Sequence, residues 1–177
     1  MKKFAACFLI LILCSFLSVS FAETPSCPFC NPGIIEKQNV FEDQYFRVLT
    51  DSAPVIKGHL LVVPKRHITK AHELLSEEWA ELATIIPKIV KVFQHSFDTD
   101  QYLILEKNGP VAGQSVPHIH FHLIPVQSPA SADQINTVLL AKVFQVRPKK
   151  LSEKEIELDV AEFRQWLNLE TAIGAWQ

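Results

Sequence analysis

Residues 116–125 read Val-Pro-His-Ile-His-Phe-His-Leu-Ile-Pro, so that His118, His120 and His122 alternate with apolar residues. A period of two is typical of a β-strand, whose successive side chains point to opposite faces. We therefore expect the three histidines on one face and the intervening apolar residues on the other, against a core. Three imidazoles in a row are costly to bury without partners and add little packing area. The stretch predicts an active site, a metal site, or both.

The N-terminal segment has the pattern of an export signal. Lys2 and Lys3 precede an apolar run over residues 4–19, and small residues end the segment at Ala22. This order predicts a secretory signal peptide over residues 1–22. An uncleaved N-terminal membrane anchor is the alternative. With cleavage we expect an exported protein, periplasmic or secreted, that keeps no stable association with a membrane.

The rest of the chain is long enough for one domain with its own core. We expect that domain over residues 23–126, followed by a C-terminal extension, residues 127–177, that packs on it. The formal net charge is −2 at pH 7, and Lys and Arg form no stripe along the sequence. Binding to nucleic acid is therefore not indicated. A small anionic ligand is still compatible with this charge, because a local site does not require a basic protein.

Strands and helices alternate without the regular order of a parallel sheet. One helix is predicted to start at Ser76, as its N-cap, with an apolar face and a kink at Pro87. Another is predicted in the extension from a capping box, Ser152 to Glu155. Besides the histidine stretch, strands are expected at residues 41–50, 58–64 and 101–106. The pattern predicts an α+β fold, with a mainly antiparallel sheet, a kinked central helix and a C-terminal helical extension.

Two further blocks precede the histidine stretch in a fixed order. Residues 27–30 read Cys-Pro-Phe-Cys, and residues 57–67 read Lys-Gly-His-Leu-Leu-Val-Val-Pro-Lys-Arg-His. Residues 108–115, Asn-Gly-Pro-Val-Ala-Gly-Gln-Ser, lead directly into the histidines. Together these blocks resemble the histidine triad (HIT) family of nucleotide hydrolases and transferases. The resemblance covers residues 27–125 and implies the fold expected above.

The resemblance assigns different tasks to two of the histidines. Members of the family cleave the bond between the α-phosphorus of a nucleotide and a leaving group. The middle histidine attacks phosphorus, and water then resolves the covalent nucleotidyl-histidine. By position the nucleophile is His120, whose other ring N–H should donate to a backbone carbonyl. His122 would approach phosphate oxygens and neutralise developing charge. This chemistry requires no metal.

The same resemblance implies further contacts to a small-molecule nucleotide. Gln114 and Ser115 match positions that contact the phosphate or the leaving group. Peptide N–H groups from Gly113 to Val116 are expected to add donors. The remaining matches are Asn108, which borders the nucleotide, and Asp51, near the ribose or in an Asx-type turn before Ser52. His59 is expected to make a structural hydrogen bond rather than to react.

In zinc-bearing relatives, two cysteines and two histidines hold a structural ion. The matching residues are Cys27, Cys30, His67 and His118, a closed set of four ligands. Export to an oxidising compartment would instead allow a disulfide between the two cysteines, and free thiols are a third state. Without zinc, His118 would orient its neighbours by hydrogen bonding.

The function expected from the resemblance is a phosphoramidase-like HIT hydrolase acting on nucleoside phosphoramidates or related nucleotide esters. A dinucleoside polyphosphate hydrolase is the neighbouring alternative. A metal-binding protein that uses the three-histidine face is an alternative of another class. The resemblance also implies a homodimer.

Overall fold

The computed structural model describes residues 27–126 and 149–172. The predicted signal peptide and residues 127–148 of the predicted extension lie outside this range. Within the described part of the chain, no helix is long and apolar enough to cross a membrane.

The structure describes five strands: β1 (Asn39–Glu42), β2 (Phe46–Thr50), β3 (Leu60–Pro64), β4 (Tyr102–Glu106) and β5 (Phe121–Pro125). They form one antiparallel sheet in the order β1-β2-β3-β5-β4. The histidine stretch pairs with a strand on each side, because Leu61 of β3 and Leu105 of β4 are both in register with His122. His122 is therefore held inside the sheet, not at an edge.

Within residues 27–126 and 149–172, three α-helices accompany the sheet, and this architecture confirms the predicted α+β fold with a C-terminal helix. They are α1 (Pro32–Gln38), α2 (Ser76–Phe97) and α3 (Glu153–Ala172). The buried face of α2, which includes Ile85 and Phe93, packs in the main core with Val62 and Leu123 of the sheet. Helix α2 continues through Pro87, which has no N–H to donate along the helix. The kink at Pro87 stays a prediction.

The alternation in the histidine stretch is kept, although only half of the stretch is a strand. Ile119, Phe121 and Leu123 are all buried in the main core, as predicted. The prediction of one continuous strand is wrong before Phe121, where β5 begins. The reason is a change of backbone partner, since the N–H of Ile119 donates to the carbonyl of Ile68 at 2.8 Å.

The single strand predicted over residues 41–50 is also wrong, because it is a hairpin of β1 and β2. The Asp43 carboxylate accepts the N–H groups of Tyr45 and Phe46, each at 2.7 Å. A short acceptor that binds the backbone two and three residues ahead favours a turn over an extended strand.

Helix α2 starts differently from its predicted cap. Ser76 is its first residue, and Leu75 occupies the N-cap position. The buried Glu78 carboxylate accepts the N–H of Leu75 at 2.8 Å and is paired with Arg66 at 2.7 Å. Hydrogen bonding to Arg66 lowers the pKa of Glu78. This pair ties the start of α2 to the segment that follows β3 and carries His67.

Helix α3 begins with the predicted capping box. The Ser152 N–H donates to Glu155 at 2.7 Å, and the Glu155 N–H returns a bond to the Ser152 hydroxyl at 3.3 Å. Its apolar stripe, Ile156, Val160 and Phe163, is buried in the main core. Helix α3 therefore shares a core with the sheet and α2.

Candidate functional site

The sheet face opposite α2 carries the three histidines and a second, smaller core. That core contains Phe29, Leu49, Leu61 and Val63. The histidines at positions 118, 120 and 122 are 0%, 6% and 5% exposed. Buried imidazoles require hydrogen-bond partners, and each of the three has a different one.

His120 is held by the backbone of the same stretch. Its Nδ1 lies 2.8 Å from the carbonyl oxygen of His118. A carbonyl oxygen can only accept, so Nδ1 carries the proton and the lone pair is on Nε2. This is the bond that the sequence predicts for a nucleophilic imidazole. The ring packs between Phe29, at 5.0 Å between centroids, and His122, at 4.9 Å.

His122 ends a buried chain of polar groups that starts at a carboxylate. Its Nδ1 lies 2.9 Å from Nε2 of His59, and Nδ1 of His59 lies 3.2 Å from Oδ2 of Asp51. The Val55 N–H approaches the same His59 nitrogen at a longer 3.4 Å. With the shorter contact taken as the hydrogen bond, His59 donates to Asp51 and accepts from His122. This arrangement fixes the tautomer and the ring orientation of His122.

Asp51 is buried, and its two carboxylate oxygens contact different partners. Its Oδ1 accepts the N–H of Ala53 at 2.9 Å, which is the Asx-type turn considered from the sequence. Its Oδ2 faces His59 instead. The structural hydrogen bond predicted for His59 is present, but the sequence did not identify His122 as its partner. A histidine next to Gly58 in the second block was the available signal, and its partner lies 63 residues away.

The loop before the histidines is built around two glycines. Gly109 and Gly113 have φ values of +111° and +86°, which side chains disfavour. The Gln114 side chain accepts the N–H of Gly109 and donates to the carbonyl of Thr69, both at 3.0 Å. In this structure Gln114 therefore ties the loop to the chain that follows His67.

The other residues predicted to contact the nucleotide lie in this loop or directly after it. Asn108 and Ser115 are exposed, and Val116 is partly buried against the smaller core. The peptide N–H groups of Gly113 and Gln114 are bonded within the loop, to Pro110 and Gly109. The contacts of these residues with a nucleotide remain predictions.

The four predicted metal ligands converge at one point. The ligand atoms of Cys27, Cys30, His67 and His118 all lie within 4.8 Å of one another. Nδ1 of His118 is 3.3 Å and 3.6 Å from the two sulfurs, and Cys30 Sγ is 3.2 Å from Nδ1 of His67. Tetrahedral zinc with ordinary bond lengths would separate sulfur and nitrogen ligands by about 3.6 Å. The two thiols are not joined as a disulfide.

His118 is prepared for this cluster by its surroundings. Its Nε2 lies 2.9 Å from the carbonyl oxygen of Pro64, so Nε2 carries the proton and Nδ1 faces the thiols. Burial lowers the pKa of His118 to about 4, so the imidazole is neutral near pH 7. A neutral histidine that donates its other N–H to a carbonyl is the form that metal ions bind.

Sequence comparison finds a matching family and named relatives. The family model described as HIT domain matches residues 33–128. Adenosine 5'-monophosphoramidase of Schizosaccharomyces pombe is 38% identical over 102 residues, which make up 56% of this chain and 74% of that protein. Bis(5'-adenosyl)-triphosphatase of Dictyostelium discoideum is 32% identical over 98 residues, which make up 55% of this chain and 66% of that protein.

Comparison of folds finds solved structures with the same architecture. One is a Zn-bound histidine triad family protein from Mycobacterium smegmatis, with a TM-score of 0.60 and 25% identity. The match covers 83% of this chain and 97% of that structure.

Proposed function

Because this chain belongs to the HIT family, we propose that it cleaves nucleoside phosphoramidates, or related nucleotide esters, at the α-phosphate through a nucleotidyl-histidine on His120. The family and the two named hydrolases support a nucleotide hydrolase in general. The relative named adenosine 5'-monophosphoramidase supports phosphoramidates as the substrate class. The observation that carries the proposal is the bond from His120 Nδ1 to the His118 carbonyl.

In the proposed reaction, Nε2 of His120 attacks the α-phosphorus. The bond from phosphorus to the leaving nitrogen breaks, and the amine departs with a proton from solvent. Water then attacks phosphorus, the bond from phosphorus to His120 breaks, and the nucleoside monophosphate leaves with the water oxygen. The His118 carbonyl favours positive charge on the imidazole during attack, because it accepts a hydrogen bond from Nδ1.

His122 has the position to stabilise charge on the phosphate oxygens. The Asp51 carboxylate, acting through His59, supplies a negative counter-charge for a proton on Nε2 of His122. A donor fixed before the substrate arrives stabilises the transition state without rearrangement. Ser115 and Asn108 are exposed at the preceding loop, where a leaving group and the nucleotide can reach them.

A second candidate is the hydrolysis of dinucleoside polyphosphates, which is favoured by the similarity to bis(5'-adenosyl)-triphosphatase. The chemistry at His120 would be the same, with a nucleotide in place of the amine as leaving group. The two substrates therefore differ in the space and charge required beyond the α-phosphate.

Turnover of two substrates tests the proposal. Purified protein is given an adenosine 5'-phosphoramidate or diadenosine triphosphate, and release of AMP is followed. We expect the higher kcat/KM with the phosphoramidate, and His120→Ala should lower it by about a thousandfold or more. His72→Ala is the matched control, because His72 is exposed outside the site. Equal rates for His120→Ala and the unmodified protein would reject His120 as the nucleophile. Absence of turnover by the unmodified protein would favour a metal-binding protein.

We also propose that zinc occupies the cluster of Cys27, Cys30, His67 and His118. Support comes from the converging ligand atoms and from the solved Zn-bound relative. Zinc there would cross-link the N-terminal segment to the end of β3 and the start of the histidine stretch. Its contribution would be to geometry, since the proposed reaction has no step at the metal.

Two properties of the whole protein complete the proposal. Export rests on the predicted signal peptide, residues 1–22. A homodimer is supported by β4, which is an edge strand of the sheet. Among the described residues β4 has a neighbouring strand on one side only, and its large apolar side chains Tyr102 and Ile104 are 36% and 43% exposed.

A further inference from the structure

Helix α3 lies outside the matched family domain, yet it contacts the loop that carries Asp51. The family model ends at residue 128, whereas α3 begins at Glu153. We call residues 51–57, between β2 and β3, the Asp51 loop. At one end of this loop the Ser52 carbonyl accepts the N–H of Leu151 at 2.8 Å. At the other end Lys57 pairs with Glu162 of α3, also at 2.8 Å.

The inner side of the Asp51 loop faces the candidate active site. Asp51 accepts from Ala53 within the loop and contacts His59, which contacts His122. The N–H of Asp51 also donates to the carbonyl of His59 at 3.2 Å. A displacement of the loop would therefore move Asp51 and alter the hydrogen-bonded chain that ends at His122.

Helix α3 is itself fixed independently of the loop. Its residues Val160 and Phe163 are buried in the main core. The guanidinium of Arg164 donates to the carbonyl of Asn39 in β1 at 2.7 Å, and Lys37 of α1 pairs with Glu153. A helix anchored to the sheet and to α1 can serve as a support for a loop that it contacts at two points.

We propose that α3 and the segment that leads into it hold the Asp51 loop in the position from which Asp51 contacts His59, with Leu151, Lys57 and Glu162 as positioning residues. This inference rests on the proposed function for its effect on catalysis. The loop reaches the reacting groups through Asp51, His59 and His122, to which the proposed function gives the task of stabilising charge in the transition state. Weaker support should therefore lower kcat more than it raises KM.

The Leu151 bond can be tested with a matched pair of variants. Leu151→Ala removes the side chain, which packs against the main core, but keeps the N–H donor. Leu151→Pro removes the donor as well. Hydrogen exchange at the amide of Ala53 reports the loop without substrate, since this amide donates to Asp51 within the loop. We expect faster exchange in Leu151→Pro, and a kcat for adenosine 5'-phosphoramidate about three- to tenfold below that of Leu151→Ala.

The ion pair is tested by reversal in the full-length protein. Lys57→Glu and Glu162→Lys should each lower kcat by about two- to fivefold, because both partners are partly exposed. The double reversal should restore kcat, which a general loss of stability would not do. Equal exchange and equal kcat for Leu151→Pro and Leu151→Ala would overturn the inference. If no variant turns over substrate but the exchange rates differ, the proposed function fails while the support of the loop by α3 stands.

Discussion

At the scale of single residues, the three histidines differ in what each Nδ1 atom faces. Nδ1 of His118 faces the two thiols, Nδ1 of His120 faces a carbonyl, and Nδ1 of His122 faces His59. A histidine repeat with one period therefore contains three environments with three hydrogen-bonding states. The partner of each ring, rather than the repeat itself, determines what that ring can do.

His59 is the residue whose removal tests the chain behind His122. His59→Asn keeps a polar group near Asp51 but removes the nitrogen that contacts His122. We expect kcat to fall about ten- to hundredfold, the effect of leaving a buried polar group without its partner. His72→Asn should leave kcat unchanged, as an exposed control. A His59→Asn protein with unaltered kcat would show that His122 needs no support from Asp51.

At the scale of elements, the sequence predicts what depends on local pattern. The capping box at Ser152 is local and lies where expected, and the helix predicted from Ser76 extends from Ser76 to Phe97. The hairpin at Asp43 and the irregular half of the histidine stretch are determined by particular hydrogen bonds. The period of the apolar residues does not show that these bonds form in place of a strand. For the stretch, the decisive partner is the carbonyl of Ile68, some fifty residues away.

In the candidate site too, some features could be predicted from the sequence and others could not. The convergence of Cys27, Cys30, His67 and His118 was predictable because the resemblance carries these four ligands as a set. The contact of His59 with His122 was not, since one histidine in a strand-forming block gives no sign of its partner. Gln114 was expected to contact substrate, and in this structure its amide joins Gly109 to Thr69. A side chain that can both donate and accept suits either use.

The zinc proposed at Cys27, Cys30, His67 and His118 provides the test at this scale. Elemental analysis should find one zinc per chain in the isolated protein. A strong chelator should lower Tm by about 4 °C or more, because it releases the link between the N-terminal segment and the sheet. The Cys27→Ser/Cys30→Ser variant should already have the lower Tm and show no further change. Protein that holds no metal and contains oxidised cysteines would support the disulfide alternative.

At the scale of the whole molecule, the family domain and α3 have different roles. The histidines, the four candidate metal ligands and the glycine loop all lie within or beside the matched residues 33–128. Helix α3 adds burial to the main core and contacts at both ends of the Asp51 loop. Under the proposed export, the protein would meet its nucleotides outside the cytoplasm.

The intact mass of the protein after brief exposure to adenosine 5'-phosphoramidate tests the central claim most directly. We predict a covalent increase of one adenylyl group in the unmodified protein, lost on longer incubation as water resolves the intermediate. His120→Ala should show no increase, whereas His72→Ala should behave like the unmodified protein. An adduct of the same mass in His120→Ala, or turnover by the unmodified protein with no adduct even after rapid acid quenching, would contradict the assignment of His120 as the nucleophile.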